Sequence, residues 1–191
     1  MASTMRWNSR DLESLPDDGK RYEIIEGELY VSKQPHYYHQ RVCMKLGRLL
    51  DTWCEESRFG EANYAPGLIF AEDDDVAPDI VWNSFARLKT VLAADGKLHA
   101  APELVIEVLS PGTRNQTRDR EVKLKLYSRR GVSEYWIVDW IVHRVEVYRR
   151  EQGQLSLVST LFDSDMLTSP LLPGFNCPLA DLFKGMPTPS E

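Results

Sequence analysis

The residue most at odds with its surroundings is Glu107, a carboxylate within the apolar run LVIEVL. A carboxylate in a strand buried on both faces is costly unless it is paired with a base or ligates a metal. Asp79 follows Pro78 at the start of another strand-like segment, where it can lie at a sheet edge beside Glu107. Two such carboxylates are hard oxygen ligands that suit Mg²⁺ or Mn²⁺, and the pair therefore predicts metal-assisted hydrolysis of a phosphate ester. A Glu107 ion pair without metal, and an Asp79 that only caps a loop, are the structural alternatives.

Lys123 adds a cation to the two carboxylates. It shares a helical face with Asp119, Leu126 and Tyr127, at steps of four, three and four residues, so we expect it to point partly inward. A partly buried ammonium can orient an attacking water and stabilise a pentavalent phosphate, whereas an arbitrary helical lysine is a surface charge. Lys125 lies about 200° away around the helix and is expected to face solvent.

The elements that must position these residues follow from periodicity. Apolar residues of helical period predict a helix over 36–57, and a second helix is predicted over 115–130, with Gly131 as its stop. The segment 22–32 reads as one strand or as two short strands that meet at Gly27. Further strands are predicted over 64–70, 79–82, 101–110, 134–138, 144–149 and 155–160. This order predicts an α/β or α+β fold, with a mixed sheet flanked by helices.

Length and composition indicate one domain. A chain of 191 residues with 42% apolar residues fills one core, and we expect a single domain over 1–185 with a loose tail over 186–191. No run approaches the roughly 18 apolar residues of a membrane span, and the N-terminal segment lacks an apolar signal core, so a cytoplasmic location is expected. The three cysteines, Cys43, Cys54 and Cys177, form no CxxC pair and are expected to be buried free thiols.

The charge distribution is uneven. The net charge of −6 argues against a protein held to nucleic acid by bulk electrostatics. Residues 114–130 nevertheless carry seven basic and two acidic side chains, and residues 72–79 carry five acidic side chains and no basic one. A basic helix could meet a polyanion and an acidic loop could meet a cation, but on charge alone both are expected to be solvated faces.

A series of motifs resembles a known family. The segments YEIIEGELY, HQRVCMKLGRLL, APDIV, PELVIEVLSPGT, DREVKLKLY, GVSEYWIVD and VEVYR are similar to those of the putative restriction endonuclease family, a bacterial branch of the PD-(D/E)XK nuclease superfamily with a domain-of-unknown-function label. The resemblance spans about residues 12–149, in the same order. It implies a restriction-endonuclease-like fold and divalent-metal-dependent cleavage of DNA.

The resemblance also implies roles for individual residues. Asp79 and Glu107 match the metal-binding carboxylates, and Lys123 matches the lysine. The usual superfamily pattern has that lysine two residues after the acid, where this chain has Leu109, and the resemblance is to members that supply the lysine from the following helix. Glu28, in EGEL, matches a further acidic position that is either a supporting or metal-ligating carboxylate or an exposed strand residue. His39, in HQR, is expected to support the site.

Other polar residues near these motifs are weaker candidates. His36, three residues before His39, is expected to cap a helix or lie on the surface. Arg114 and Arg118 flank the predicted site and either meet backbone phosphates or keep their helix soluble, so neither enters the catalytic set.

The sequence therefore predicts an Mg²⁺- or Mn²⁺-dependent endodeoxyribonuclease. The chain lacks the GxSxG, GxxxxGK[ST], GxGxxG and HExxH motifs, which narrows the alternative enzyme classes. The rival hypothesis is a catalytically inactive nuclease-fold module for nucleic-acid binding or assembly. A homodimer would serve either function, and apolar residues such as Trp136, Ile137, Trp140 and Ile141 are candidates for its interface.

Overall fold

A six-stranded mixed sheet forms the centre of the fold in the computed structural model, which describes residues 6–187 apart from the side chain of Arg114. Between β7 and β8 the pairing is parallel, and between the other neighbours of this sheet it is antiparallel. The spatial order of its strands is β10 (Gln154–Phe162), β9 (Arg144–Glu151), β8 (Glu134–Asp139), β7 (Leu104–Val108), β6 (Ile80–Ser84) and β3 (Gly60–Tyr64).

Two smaller antiparallel sheets and several helices surround this centre. One sheet has the order β2 (Glu28–Ser32), β1 (Arg21–Ile25), β5 (Asp74–Val76) and β4 (Leu68–Ala71), and the other pairs β11 (Met166–Ser169) with β12 (Leu172–Pro178). The helices are α1 (Ser9–Leu12), α2 (Tyr37–Ser57), α3 (Phe85–Val91), α4 (Thr113–Thr117), α5 (Leu124–Arg130) and α6 (Leu179–Phe183). A π-helical segment, Arg118–Lys123, joins α4 to α5.

The side chains of β7 alternate between two apolar cores. Leu104, Ile106 and Val108 point to one face of the sheet, where they join the apolar stripe of α2. Val105 points to the opposite face, where α5, α3 and the four-stranded sheet pack. Because successive side chains of a strand point to opposite faces, Glu107 lies on the side of Val105 and α5.

The main predicted elements are confirmed. Segment 22–32 is a hairpin whose two turn residues, Glu26 and Gly27, have φ values of 52° and 76°, as a tight hairpin turn requires. The first long helix begins at Tyr37, with His36 as its N-cap, and α5 ends at Gly131, whose φ is 97°. The cysteines are free and buried. The fold is a mixed α+β arrangement of the predicted kind.

Two elements that were predicted to be continuous are divided in the structure. The strand predicted over 64–70 is two strands in different sheets, because the chain turns at residues 65–67 and Ala65 has a positive φ of 41°. The helix predicted over 115–130 is interrupted by the π-helical segment. Helical periodicity does not reveal a local widening of the helix, which is often associated with functional sites.

The acidic segment 72–79 is not a solvated loop. Asp74 and Asp75 are buried in β5, and Asp74 forms ion pairs with Arg129 and Arg130 at the end of α5. The prediction that both segments are solvated faces is therefore partly wrong, because the acidic segment and the basic helix form ion pairs with each other. Lys125 is exposed, as expected.

The four apolar residues considered for a dimer interface belong to the core of the single chain. Trp136, Ile137 and Trp140 are buried, and Ile141 packs against the same core as Trp136. That interface prediction is wrong, because β8 is covered on both faces within one chain.

The last described residues, Met186 and Pro187, pack against the rest of the chain. Met186 is buried among core residues, and the carbonyl of Pro187 accepts a hydrogen bond from His143, whereas residues 188–191 of the expected tail lie outside the described residues. Within residues 6–187, no helix is long and apolar enough to cross a membrane.

Candidate active site

Asp79 and Glu107 are neighbours across two central strands. The antiparallel pairs Trp82–Leu104, Val81–Val105 and Ile80–Ile106 define the register of β6 and β7. Continued by one residue, this register places Asp79 beside Glu107, on the face of the sheet that Val81 shares. A hydrogen bond of 2.9 Å from the backbone N–H of Val108 to Oδ2 of Asp79 ties the carboxylate to β7. The carboxylates of Asp79, at the entry to β6, and of Glu107, in β7, are therefore neighbours, as the sequence predicts.

Asp79 is held as a carboxylate by its partners. Nε2 of His39 lies 3.1 Å from Oδ2, and Nη1 of Arg21 donates to Oδ1 at 3.1 Å. Burial opposes ionisation of Asp79, but the hydrogen bond from His39 and the charges of His39 and Arg21 outweigh it and hold the pKa of Asp79 below its usual value. The same contact keeps the pKa of the buried His39 above its ordinary value, in spite of desolvation.

Glu107 is in a different electrostatic state from Asp79. Its Oε1 atom accepts hydrogen bonds from Nζ of Lys123 at 2.9 Å and from the hydroxyl of Tyr127 at 2.7 Å. Burial raises the pKa of Glu107 to about 7, with a contribution from the charge of Asp79 and against the attraction of Lys123. Among described residues, none donates a hydrogen bond to Oε2 of Glu107, which leaves that oxygen available to a ligand.

Lys123 lies behind the two carboxylates. It ends the π-helical segment and has no exposed side-chain surface. Burial lowers the pKa of Lys123, but the carboxylates of Glu107 and Glu23 outweigh this effect and raise the pKa above its ordinary value. The Lys123 side chain is therefore an ammonium ion. It contacts Glu107 directly, and Glu107 lies between it and Asp79.

Glu23 is the residue that sequence reasoning missed. It extends from β1 in the four-stranded sheet, is fully buried, and places Oε1 2.9 Å from Nζ of Lys123. The N–H of Ala77 also donates to Oε1, whereas Oε2 has no hydrogen-bond partner and lies 3.8 Å from Nη1 of Arg118. Burial opposes ionisation, but Lys123 and Arg118 hold the pKa of Glu23 below its usual value. The sequence signal was present, because Glu23 interrupts an apolar strand as Glu107 does.

Glu28 is not brought to this group of residues. It lies exposed at the start of β2, and its carboxylate accepts a hydrogen bond from the hydroxyl of Tyr30. Glu23 and Glu28 belong to different strands of one hairpin, and the inward-facing acid is Glu23. His36 caps α2 through a hydrogen bond from the N–H of Tyr38 and stacks on Trp140 at 4.8 Å.

Arg118 and Asp119 are two further charged residues next to Lys123 and Glu23. Nε of Arg118 donates to Oδ1 of Asp119 at 2.9 Å, and its Nη1 donates to the hydroxyl of Ser32 at 2.5 Å. Burial raises the pKa of Asp119, although Lys123 and Arg118 both favour its charged form. Arg118 thereby links the π-helical segment to the hairpin of β1 and β2.

A cavity of about 290 Å³ opens onto the two carboxylates. Asp79 and Glu107 lie in its wall together with His39, Arg21 and Arg118. The side chains of Asp79 and Glu107 are 5% and 2% exposed, so a ligand must enter the cavity to reach them. We call this space the active-site cavity.

The donor atoms in this cavity fit a hard divalent cation. Asp79 and Glu107 offer carboxylate oxygens, and the pKa of Glu107 is raised mainly by burial and in part by the charge of Asp79, both of which a bound cation would offset. His39, Cys43 and Asp79 also have potential ligand atoms within 4.8 Å of one another. This second set fits less well, because burial raises the pKa of the Cys43 thiol and a metal takes the thiolate.

Comparisons with known proteins give the family and the fold of the chain. Residues 9–180 match the family described as Uma2, putative restriction endonuclease. The chain is similar to the crystal structure described as a putative nuclease belonging to DUF820 from Anabaena variabilis, with a TM-score of 0.72 and 20% identity over 92% of this chain and 97% of that chain. This likeness shows a shared fold. The type IIG restriction endonuclease BpuSI overlaps at a TM-score of 0.40 and 12% identity, over 76% of this chain and 15% of that one. No curated protein matches the sequence.

Proposed function

Because the chain belongs to the putative restriction endonuclease family, we propose that it is a metal-dependent endonuclease that hydrolyses phosphodiester bonds in DNA. The observation that carries the proposal is that Asp79, which directly precedes β6, and Glu107 of the adjacent strand β7 lie in the wall of one cavity. Fold similarity alone does not carry it, since one fold serves many activities.

Asp79 and Glu107 would hold Mg²⁺ or Mn²⁺, and His39 would support Asp79. When bound, such an ion neutralises charge that develops on the scissile phosphate and favours ionisation of the attacking water. The chain's own contribution is to hold the carboxylates ready. His39, Arg21 and the N–H of Val108 fix the orientation of Asp79, so that its oxygens need little rearrangement when a ligand enters.

Lys123 is proposed to act through Glu107. Its ammonium is fully buried and donates to Oε1 of Glu107, so that Oε2 is the oxygen left for a ligand. A protonated lysine cannot accept the proton of the attacking water. The sequence predicts that Lys123 orients this water directly, but the Lys123 side chain has no exposed surface with which to contact it. Lys123 is therefore a positioning residue, which stabilises the Glu107 carboxylate and fixes its rotamer. Glu23 holds Lys123 from the opposite side.

Nicking of supercoiled plasmid tests the proposal. The native chain, Glu107→Gln and the control Glu55→Gln, which changes an exposed acid on α2, are compared in Mg²⁺, Mn²⁺ and EDTA. We expect metal-dependent nicking by the native and control chains and a loss of about a hundredfold or more in Glu107→Gln. Equal nicking by Glu107→Gln would refute the assignment of the site.

The alternative function is a module that binds nucleic acid or a partner without hydrolysis. The three protein contacts of Asp79, with Arg21, His39 and the N–H of Val108, are the observation that favours it, since a carboxylate held in this way can be purely structural. No nicking in any metal, together with retained DNA binding, would support this alternative over the nuclease.

A further inference from the structure

A second cavity adjoins the active-site cavity. Its volume is about 560 Å³, and it shares Ser32, Lys33, Ser110 and Arg118 with the active-site cavity. One wall is the segment from β2 to the start of α2, and the other is formed by Ser110, Pro111 and the helices that follow. We call this space the outer chamber. A ligand that reaches Asp79 and Glu107 has space to extend into it.

The outer chamber is cationic in a protein of net charge −6. Of the described residues that line it, none is acidic, whereas Lys33 and Arg118 are basic and Ser32 carries a hydroxyl. Arg118 is engaged by Asp119 and Ser32, but the exposed Lys33 makes no ion pair with a described residue. An uncompensated lysine beside the proposed metal site is suited to a backbone phosphate near the scissile one.

Aromatic rings accompany these cations. Tyr30 and His36 both line the outer chamber, and His36 is supported from behind by its stacking on Trp140. A basic groove combined with aromatic side chains is the usual composition of a surface that binds single-stranded nucleic acid, because bases stack on the rings while cations follow the backbone.

The dimensions favour one strand over two. A cavity of about 560 Å³ falls in the range that accommodates one small-molecule-sized group, such as a nucleotide, and not a duplex. Because Asp79 and Glu107 are almost completely buried, the scissile phosphate must descend into the active-site cavity. An unpaired strand can bend inward in this way, whereas base pairing holds the backbone of a duplex on its regular path.

We propose that the outer chamber binds single-stranded DNA beside the scissile phosphate, with Lys33 contacting a backbone phosphate and Tyr30 and His36 providing a surface for a base. The inference rests on the proposed nuclease function for its placement next to a scissile phosphate. It makes unpaired DNA, such as a flap, a gap or a melted segment, the preferred substrate.

Binding without hydrolysis provides the test. The protein is titrated in EDTA into a fluorescently labelled DNA oligonucleotide of about ten nucleotides, as a single strand and as a duplex. The fluorescence anisotropy of the label is measured at several salt concentrations. Lys33→Gln is compared with Lys89→Gln, the same change at an exposed lysine on α3 that lines no part of either cavity. We expect the native chain to prefer the single strand, and Lys33→Gln to weaken single-strand binding on the order of three- to tenfold.

The salt dependence gives a second readout. Loss of one phosphate contact should reduce the slope of log K against log salt by about 0.7 in Lys33→Gln, with no change in Lys89→Gln. Tighter binding of the duplex, no measurable binding of either DNA, or equal effects of the two lysine substitutions would overturn the inference. A different outcome is selective single-strand binding without cleavage of plasmid or oligonucleotide in Mg²⁺. This result would support the outer chamber as a DNA-binding site and would contradict the proposed nuclease function.

Discussion

Nζ of Lys123 lies 2.9 Å from Oε1 of Glu23, the same distance that separates it from Oε1 of Glu107. The two carboxylates come from different sheets, and the ammonium between them comes from the π-helical segment. This arrangement joins the small sheet to the central sheet at the candidate active site. It also makes Lys123 inaccessible to a substrate, which changes the part that a lysine can take in the reaction.

Substitution of Glu23 should impair cleavage more than substitution of Glu28. Glu23→Gln removes the charge that holds Lys123, and loss of such a supporting contact typically lowers activity by about 10- to 100-fold. Glu28→Gln changes an exposed carboxylate and should leave the nicking rate within about twofold of the native rate.

The measurement is the initial rate of plasmid nicking at saturating Mg²⁺, with circular dichroism to verify folding. Rescue by Glu23→Asp, which restores the negative charge, would separate positioning of Lys123 from a general packing defect. An equal or larger loss in Glu28→Gln would return Glu28 to the site and contradict the present geometry.

Removal of the buried ammonium should be strongly destabilising. Lys123→Met leaves Glu23 and Glu107 buried without their shared partner, and breaking a buried ion pair in this way costs about 3–5 kcal/mol. Lys125→Met, two residues later, changes an exposed side chain paired with Glu26 and should alter the free energy of unfolding by at most about 0.5 kcal/mol. Urea denaturation of both variants in EDTA measures the difference, and similar costs for the two would contradict the buried network.

Ionisation of Glu107 should make the metal-free protein less stable as pH rises. Its pKa is about 7 in the folded chain, against about 4.3 for an unfolded glutamate. The folded state therefore binds more protons between these values, and the stability contributed by protonated Glu107 is complete below about pH 4 and is lost as the pH rises through 7. The loss should be on the order of 4 kcal/mol.

Glu107→Gln provides the control for this titration, because its amide is neutral at every pH. The free energy of unfolding of the native chain minus that of Glu107→Gln should fall between pH 5 and pH 8 in EDTA. A difference that is independent of pH, or that rises with pH, would contradict the raised pKa of Glu107.

Divalent cations should stabilise the native chain. At a concentration of about 100 times Kd, Mn²⁺ should add about 2.7 kcal/mol, which corresponds to a rise in Tm of roughly 5–10 °C for a chain of this size. Asp79→Asn should abolish the rise, measured against its own Tm in EDTA, because it removes one of the two proposed ligands. Asp51→Asn, an exposed change on α2, should retain it. An undiminished rise in Asp79→Asn would place the metal elsewhere.

Local patterns in the sequence are enough to predict the central elements and the two carboxylates of the candidate site. Local patterns are sufficient for α2 and the hairpin of β1 and β2, because apolar periodicity and the Glu26–Gly27 turn act over a few residues. Glu107 stands out because a charge in a doubly buried strand requires a partner wherever that strand is placed.

Most partners of the buried charges follow from long-range packing and not from local patterns. Glu23 reaches Lys123 because β1 pairs with β5 and lies against the π-helical segment, a juxtaposition of residues 100 positions apart that no local pattern encodes. Asp74 likewise was expected in a solvated loop, but it is buried and forms ion pairs with Arg129 and Arg130. The residue type and the apolar periodicity around it show which charge will be buried and that its burial is costly. The opposite charge that offsets this cost is supplied by long-range packing.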